Sequence, residues 1–145
     1  MGVAELLRKR KEALAKKNLE EGRLYLQEFL KNDEVISVAE GLAYLILERG
    51  NGEKAGLDDR FECSYIGRNI KGVVFDSSSK KSDATVFLLN KLIKAYQIVV
   101  PQLEMGTKFI MVASCDYAYK DQYISQEIGP NSSLIFEVEL KGIIK

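Results

Sequence analysis

Residues 87–96 read Phe87-Leu88-Leu89-Asn90-Lys91-Leu92-Ile93-Lys94-Ala95-Tyr96, and this stretch decides the fold. Leu92, Ile93 and Tyr96, with Val99 and Val100 beyond, recur at helical spacing and give one apolar face. Pro101 closes the helix, because proline has no N–H to donate and disfavours helical geometry in the residue before it. The segments on either side read as strands, so a short helix with a large apolar face has to lie across a sheet. The space between that helix and the sheet is either packed core or a pocket.

Outward from the helix toward the C-terminus, Leu103-Glu104-Met105-Gly106-Thr107 is a turn. Residues 108–114 follow, with Phe109, Met111 and Ala113 alternating against Ile110 and Val112; both faces are apolar, which predicts a central strand covered on both sides. Residues 115–132 make a long loop that carries Tyr117, Tyr119, Tyr123 and Ile128, and loops of that length in compact domains are usually functional or mobile. Residues 133–140 have the cleanest two-residue period in the chain: Leu134, Phe136, Val138 and Leu140 face inward, Glu137 and Glu139 outward.

Toward the N-terminus, a short strand around Val86 and Phe87 is preceded by a polar loop at 76–83 and a strand at 72–75. Residues 66–72 read as a tight connection bounded by Gly67 and Gly72, and residues 61–66 as a strand in which Phe61, Cys63 and Tyr65 share one face. A further strand at 42–47 ends at Arg49-Gly50-Asn51-Gly52. Residues 4–30 are rich in helix formers, with a thin stripe of Leu7, Leu14, Leu26, Phe29 and Leu30 that Gly22 interrupts. Such a helix is marginal alone and needs a surface, either its own domain or a second copy of the chain. Together these elements predict an α+β fold, an antiparallel sheet curled around one short helix and preceded by an N-terminal helix.

Composition narrows the chemistry. Among 145 residues, 21 lysines and arginines balance 21 aspartates and glutamates, so no global field draws the chain to nucleic acid or acidic lipid. There is no histidine, which excludes serine–histidine and cysteine–histidine catalysis and removes the commonest metal ligand. Cys63 and Cys115 belong to no metal-spacing motif; separate packed thiols are the preferred reading, with one disulfide left open for an exported chain. No run is long and apolar enough to span a bilayer. Met1-Gly2-Val3-Ala4-Glu5 lacks the apolar segment of a signal peptide, which leaves a cytoplasmic protein or a mature chain begun with Met in place of its signal.

One resemblance draws these readings together. Tyr65-Ile66-Gly67, Phe75-Asp76-Ser77-Ser78, Phe87, Leu92-Ile93 with an aromatic at Tyr96, Met105-Gly106, Asp116-Tyr117-Ala118-Tyr119 and Leu134-Ile135-Phe136-Glu137-Val138-Glu139-Leu140 occur in that order. In identity and spacing, across about residues 42–140, the set resembles the FKBP-type peptidyl-prolyl cis-trans isomerases. Gly41-Leu42-Ala43-Tyr44 and Gly50-Asn51-Gly52-Glu53 look like the start of the catalytic domain in bacterial members that carry an N-terminal helical extension. The resemblance implies a helical extension at 1–38, an FKBP-like half-barrel at 39–145, and an aromatic pocket between sheet and helix.

Carried over by position, Tyr65, Phe75, Phe87 and Phe136 are expected in the walls, Asp76 at the rim, and Leu92 and Ile93 where the helix begins, with the Ile93 N–H offered to a substrate carbonyl. Tyr96 is expected as the floor, Tyr119 as a hydroxyl donor and Ile128 in a lid loop. The implied activity is rotation of X–Pro bonds in proline-containing polypeptides, as a folding helper. It needs no nucleophile, metal or cofactor, which suits a chain without histidine. The helical extension resembles exported members more than cytoplasmic ones. The family's glycine–tryptophan pair is replaced by Ala95-Tyr96, Cys115 stands where proline is usual, and Lys120 follows Tyr119 where glycine is usual. Thr85 replaces a more apolar rim residue. These departures predict a pocket with a more polar base, and favour as the alternative an FKBP-like peptide- or protein-binding module with weak or no isomerase activity.

Overall fold

In the computed structural model, which describes residues 2–78 and 84–145, the chain opens with α1 (Val3–Phe29) and then forms β1 (Ile36–Ala39) and β2 (Leu42–Glu48). Next come β3 (Arg60–Asn69), β4 (Val74–Ser77) and β5 (Thr85–Leu88), a short helix α2 (Lys94–Val99), and finally β6 (Lys108–Ala113) and β7 (Leu134–Ile144). Every strand pairing is antiparallel, and the sheet runs β1-β2-β6-β7-β3-β4, with β5 also on β3. One edge of β3 carries β7; its other edge is shared by β5 at residues 60–63 and β4 at residues 66–68.

The two-residue period read from β7 holds: Leu134, Phe136, Val138 and Leu140 are buried, and the register sets Phe136 beside Gly67 and Met111, and Val138 beside Tyr65 and Phe109. With Phe61, Cys63, Leu42 and Tyr44 they make the inner face of the sheet. Ala95, Tyr96, Val99 and Val100 pack against it as one core. The expected central strand is β6, with β2 on one side and β7 on the other, and Phe109, Met111, Val112 and Ala113 buried. Cys63 and Cys115 are separate buried thiols.

The deciding stretch folds in more pieces than its helical spacing predicts. Phe87 and Leu88 pair with Phe61 and Arg60 as strand, Leu89–Lys91 make a single 3-10 turn, and Leu92 and Ile93 are extended. Only Lys94–Val99 is α-helix, and Pro101 lies inside a 3-10 turn at Val100–Gln102. Ladder bonds to β3 outweigh a helical preference that amounts to fractions of a kcal/mol per residue. Two further differences concern the strands. β3 runs straight through Gly67 to Asn69, so 66–72 is not a tight connection; the turn is at Gly72, with φ +86°, and the Asn69 side-chain oxygen accepts from the N–H groups of Lys71 and Val73. β1 was not foreseen, and the expected division at 38/39 falls inside it. Residues 79–83 of the expected polar loop lie outside the described residues.

Gly22 does not interrupt α1. It is the one buried residue of the helix, and a Cβ there would meet the Ser133 hydroxyl and lie 2.9 Å from Ser133 Cβ. The glycine lets the helix backbone touch the start of β7. Asn18 Nδ2 donates to the Pro130 carbonyl at 2.9 Å and so pins the helix to the loop before β7. Val3, Leu6 and Leu7, a full turn and more of the free end, remain exposed.

Candidate active site

Six rings, those of Tyr65, Phe75, Phe87, Tyr96, Tyr119 and Phe136, converge with Asp76, Lys91, Leu92 and Ile93 on a cleft of about 280 Å³. That is near the lower end of small-molecule sites, which hold roughly 300–1,000 Å³. Nine of the ten residues expected from the sequence line this cleft. Ile128 does not; it is 3% exposed and packs in the core. A larger hollow of about 560 Å³ lies between α1 and the sheet, lined by Leu19, Leu26, Cys115 and Tyr117 among others, and contains none of the ten.

The walls are locked ring against ring. Phe136 meets Tyr96 edge-on at 5.2 Å and Phe75 edge-on at 5.8 Å, and Tyr65 leans on Phe87 at 5.6 Å. Such pairs favour this geometry by about 0.5–1.5 kcal/mol beyond the area they bury. Gly67 makes the arrangement fit: a Cβ there would be 2.7 Å from Phe75 and 3.0 Å from Phe136. The sequence shows Gly67 as a punctuating residue and as part of the Tyr65-Ile66-Gly67 motif but not as a spacer, since the demand for space comes from rings elsewhere in the chain.

Polar groups sit at defined places in this apolar frame. The Tyr65 hydroxyl donates to Asp76 Oδ2 at 2.8 Å, which orients the carboxylate. Tyr65 itself is held where the edge passes from β4 to β5: its N–H donates to Ser78 Oγ at 3.0 Å, and that hydroxyl points back to the Tyr65 carbonyl at 3.4 Å. Ser78 is 3% exposed, so a residue expected in a polar loop is a buried bracket for the cleft wall. On the helix side, Gln97 Nε2 donates to the Leu92 carbonyl at 2.7 Å and fixes the extended approach to α2. The Ile93 carbonyl accepts from Tyr96 and Gln97, while its N–H makes no hydrogen bond among the described residues.

The floor is phenolic. Tyr96 is 6% exposed and its hydroxyl makes no hydrogen bond among the described residues. Burial, followed by the proximity of Cys63, Tyr65, Asp76 and Tyr119, holds its pKa well above the usual tyrosine value. Burial and then Asp76 also push Tyr119 upward. Both phenols are therefore neutral O–H donors near pH 7. Thr85 Oγ1 is buried with no hydrogen-bond partner among the described residues. Lys91, which sequence reasoning passed over, is the one cation among the lining residues; its place at the lip depends on the 3-10 turn, which no local pattern announced. Among the described residues no group of three or more His, Cys, Asp or Glu could hold a metal ion, and no helix is long and apolar enough to cross a membrane.

Comparison with known proteins finds two family matches along the chain. Residues 51–141 match the family described as FKBP-type peptidyl-prolyl cis-trans isomerase, and residues 1–46 match the domain amino-terminal to it. The chain is 36% identical over 129 residues to a probable FKBP-type peptidyl-prolyl cis-trans isomerase FkpA of Neisseria meningitidis, covering 89% of this chain and 47% of that one. It is 34% identical over 128 residues to the peptidyl-prolyl cis-trans isomerase Mip of Coxiella burnetii, covering 88% and 56%. The chain thus spans about half the length of these curated relatives. The crystal structure of FkpA from Escherichia coli superposes with a TM-score of 0.89 at 29% identity, over 94% of this chain and 63% of that one. The seven-stranded antiparallel sheet around its short helix, the N-terminal helix and the two family matches agree, and the chain belongs to the FKBP-type peptidyl-prolyl cis-trans isomerase family.

Proposed function

We propose that the cleft takes the ring of a substrate proline and accelerates cis–trans rotation of the preceding peptide bond. The observation that carries this reading is the convergence of five further rings on the Tyr65–Asp76 pair beside an Ile93 N–H that makes no hydrogen bond among the described residues. Rotation about a peptide bond must overcome about 18–20 kcal/mol because it breaks amide resonance. At X–Pro the two isomers are close in energy but exchange over tens to hundreds of seconds. The planar amide is the more charge-separated form, so an apolar box that removes its water disfavours it relative to the twisted form. In this reading Phe75, Phe87 and Phe136 grip the ring over Tyr96, Ile93 N–H holds one carbonyl, Tyr119 O–H holds another, and Asp76 stands at the rim. The mechanism involves proton donors and shape, with no covalent intermediate.

A proline-limited refolding assay tests it. The chain should accelerate the slow phase, and Asp76→Ala and Tyr119→Phe should each reduce kcat/KM by about tenfold or more; a slow phase unchanged at high protein concentration sinks the reading. The unbonded Tyr96 phenol favours a second reading, a binding module with weak turnover. That reading predicts peptide binding without acceleration, and Tyr96→Trp then raising the rate.

The same proposal includes a helical extension at 1–38 leading into the FKBP-like unit at 39–145, proline-containing clients, action as a folding helper, and export from the cytoplasm, the last supported by the resemblance of the extension to exported members. Cell fractionation of the natural gene product decides the compartment. The exposed Val3, Leu6 and Leu7 support pairing of two chains through α1. Sedimentation should then show a dimer that Leu7→Lys dissociates; a monomer at all concentrations ends that part.

A further inference from the structure

Tyr119 stands on a loop, yet that loop is clamped from a distance. Lys120, directly after it, has φ +55°, and its N–H donates to the Cys115 carbonyl at 2.8 Å. The Lys120 carbonyl accepts from the N–H of Asn131 at 2.7 Å, and Asn131 too is left-handed, with φ +58°. The Asn131 side chain turns the other way: its Nδ2 donates to the Ala15 carbonyl in α1 at 3.3 Å. One residue to the N-terminal side, the Pro130 carbonyl accepts from Asn18 of the same helix. Two residues to the C-terminal side, Ser133 lies against Gly22. Three successive points on one face of α1 therefore bear on the segment whose backbone holds Lys120, the residue directly after Tyr119 of the cleft lining.

We propose that Asn131 is a positioning residue through which the N-terminal helix sets the placement of Tyr119, so that the helix works as a brace for the cleft as well as an extension of the chain. A lysine held left-handed costs about 1–2 kcal/mol, whereas asparagine tolerates that geometry, so at Lys120 it persists only where surrounding contacts determine it. Lys120 is held by the Cys115 carbonyl and the Asn131 N–H, and Asn131 in turn by α1 through Ala15. Without the contact from α1 the 120–131 segment relaxes and the Tyr119 side chain leaves its place in the cleft. The kinetic consequence rests on the isomerase reading; the structural consequence does not.

The variant Asn131→Gly keeps the left-handed backbone and the N–H bond to Lys120 while removing the link to Ala15. Asn18→Ala loosens the same contact from the helix side. In the full chain each is expected to lower kcat/KM by about tenfold, within the range that misplacement of a positioned group produces. In a Tyr119→Phe background the same changes should cost no more than about twofold, because the group they position has lost its hydroxyl. Full, additive losses in that background overturn the proposal. 3-Fluorotyrosine at position 119, followed by fluorine NMR, gives a readout independent of turnover: the signal should shift or broaden in both variants, and a signal unmoved in both overturns it. If the unsubstituted chain is inactive, the isomerase reading fails and the fluorine signal alone decides the brace.

Discussion

Ser78 and Lys120 are single residues on which the cleft depends without lining it. Ser78→Ala removes the hydroxyl that serves both the N–H and the carbonyl of Tyr65, and the loss of buried backbone partners is expected to cost about 1–3 kcal/mol, read as a lower urea midpoint at unchanged m-value. Lys120→Gly acts in the opposite sense. At φ +55° glycine carries no Cβ penalty, and after the larger entropy of the unfolded glycine is allowed for, a gain of about 1 kcal/mol is expected, a rise of about 3 °C in Tm by calorimetry. Both effects depend on backbone geometry. In the sequence Ser78 was one serine in a polar run, whereas Lys120 stood out because the resembling family has glycine there.

The elements owe their positions to distant partners more than to their own sequences. α2 has six residues, far below the length at which a helix holds by itself, and exists because Ala95, Tyr96 and Val99 are buried against the sheet. The long periodic stretch that announced it was therefore right about an apolar face and wrong about its extent. α1 makes the same point through Gly22. Helical propensity alone would favour Gly22→Ala by about 1 kcal/mol. The Ser133 side chain fills that space, so the substitution is expected to destabilise instead and to raise amide exchange in residues 129–133; a more stable variant with unchanged exchange would count against docking of α1 at this point.

For the molecule as a whole, the buried acids under the cleft set an alkaline limit. Burial, reinforced by Glu62, pushes the Cys63 thiol from its ordinary 9.0 up to about 12. The folded state holds that proton after the unfolded state has lost it, so the contribution of this thiol to stability is complete below pH 9, falls as pH rises from 9 to about 12, and is lost above. At about 1.4 kcal/mol per pH unit the interval amounts to about 4 kcal/mol. Urea unfolding between pH 8 and about pH 12 should show that decline, and in Cys63→Ala the part beginning near 9 should shrink to what the buried Cys115 thiol contributes, followed by the later decline from the raised Tyr44, Tyr96 and Tyr119 phenols.

By itself the sequence determined the class of fold, the inward face of β7, and nine of the residues that meet at the cleft, because alternation and ordered motifs are local properties that survive in one dimension. Tertiary structure alone decided where α2 begins, that Gly67 gives room to two rings, that Ser78 bridges the gap between β4 and β5, and that Ile128 belongs to the core. Each of these depends on which distant residue shares the same space, and strand pairing and close packing settle that only when the chain is folded.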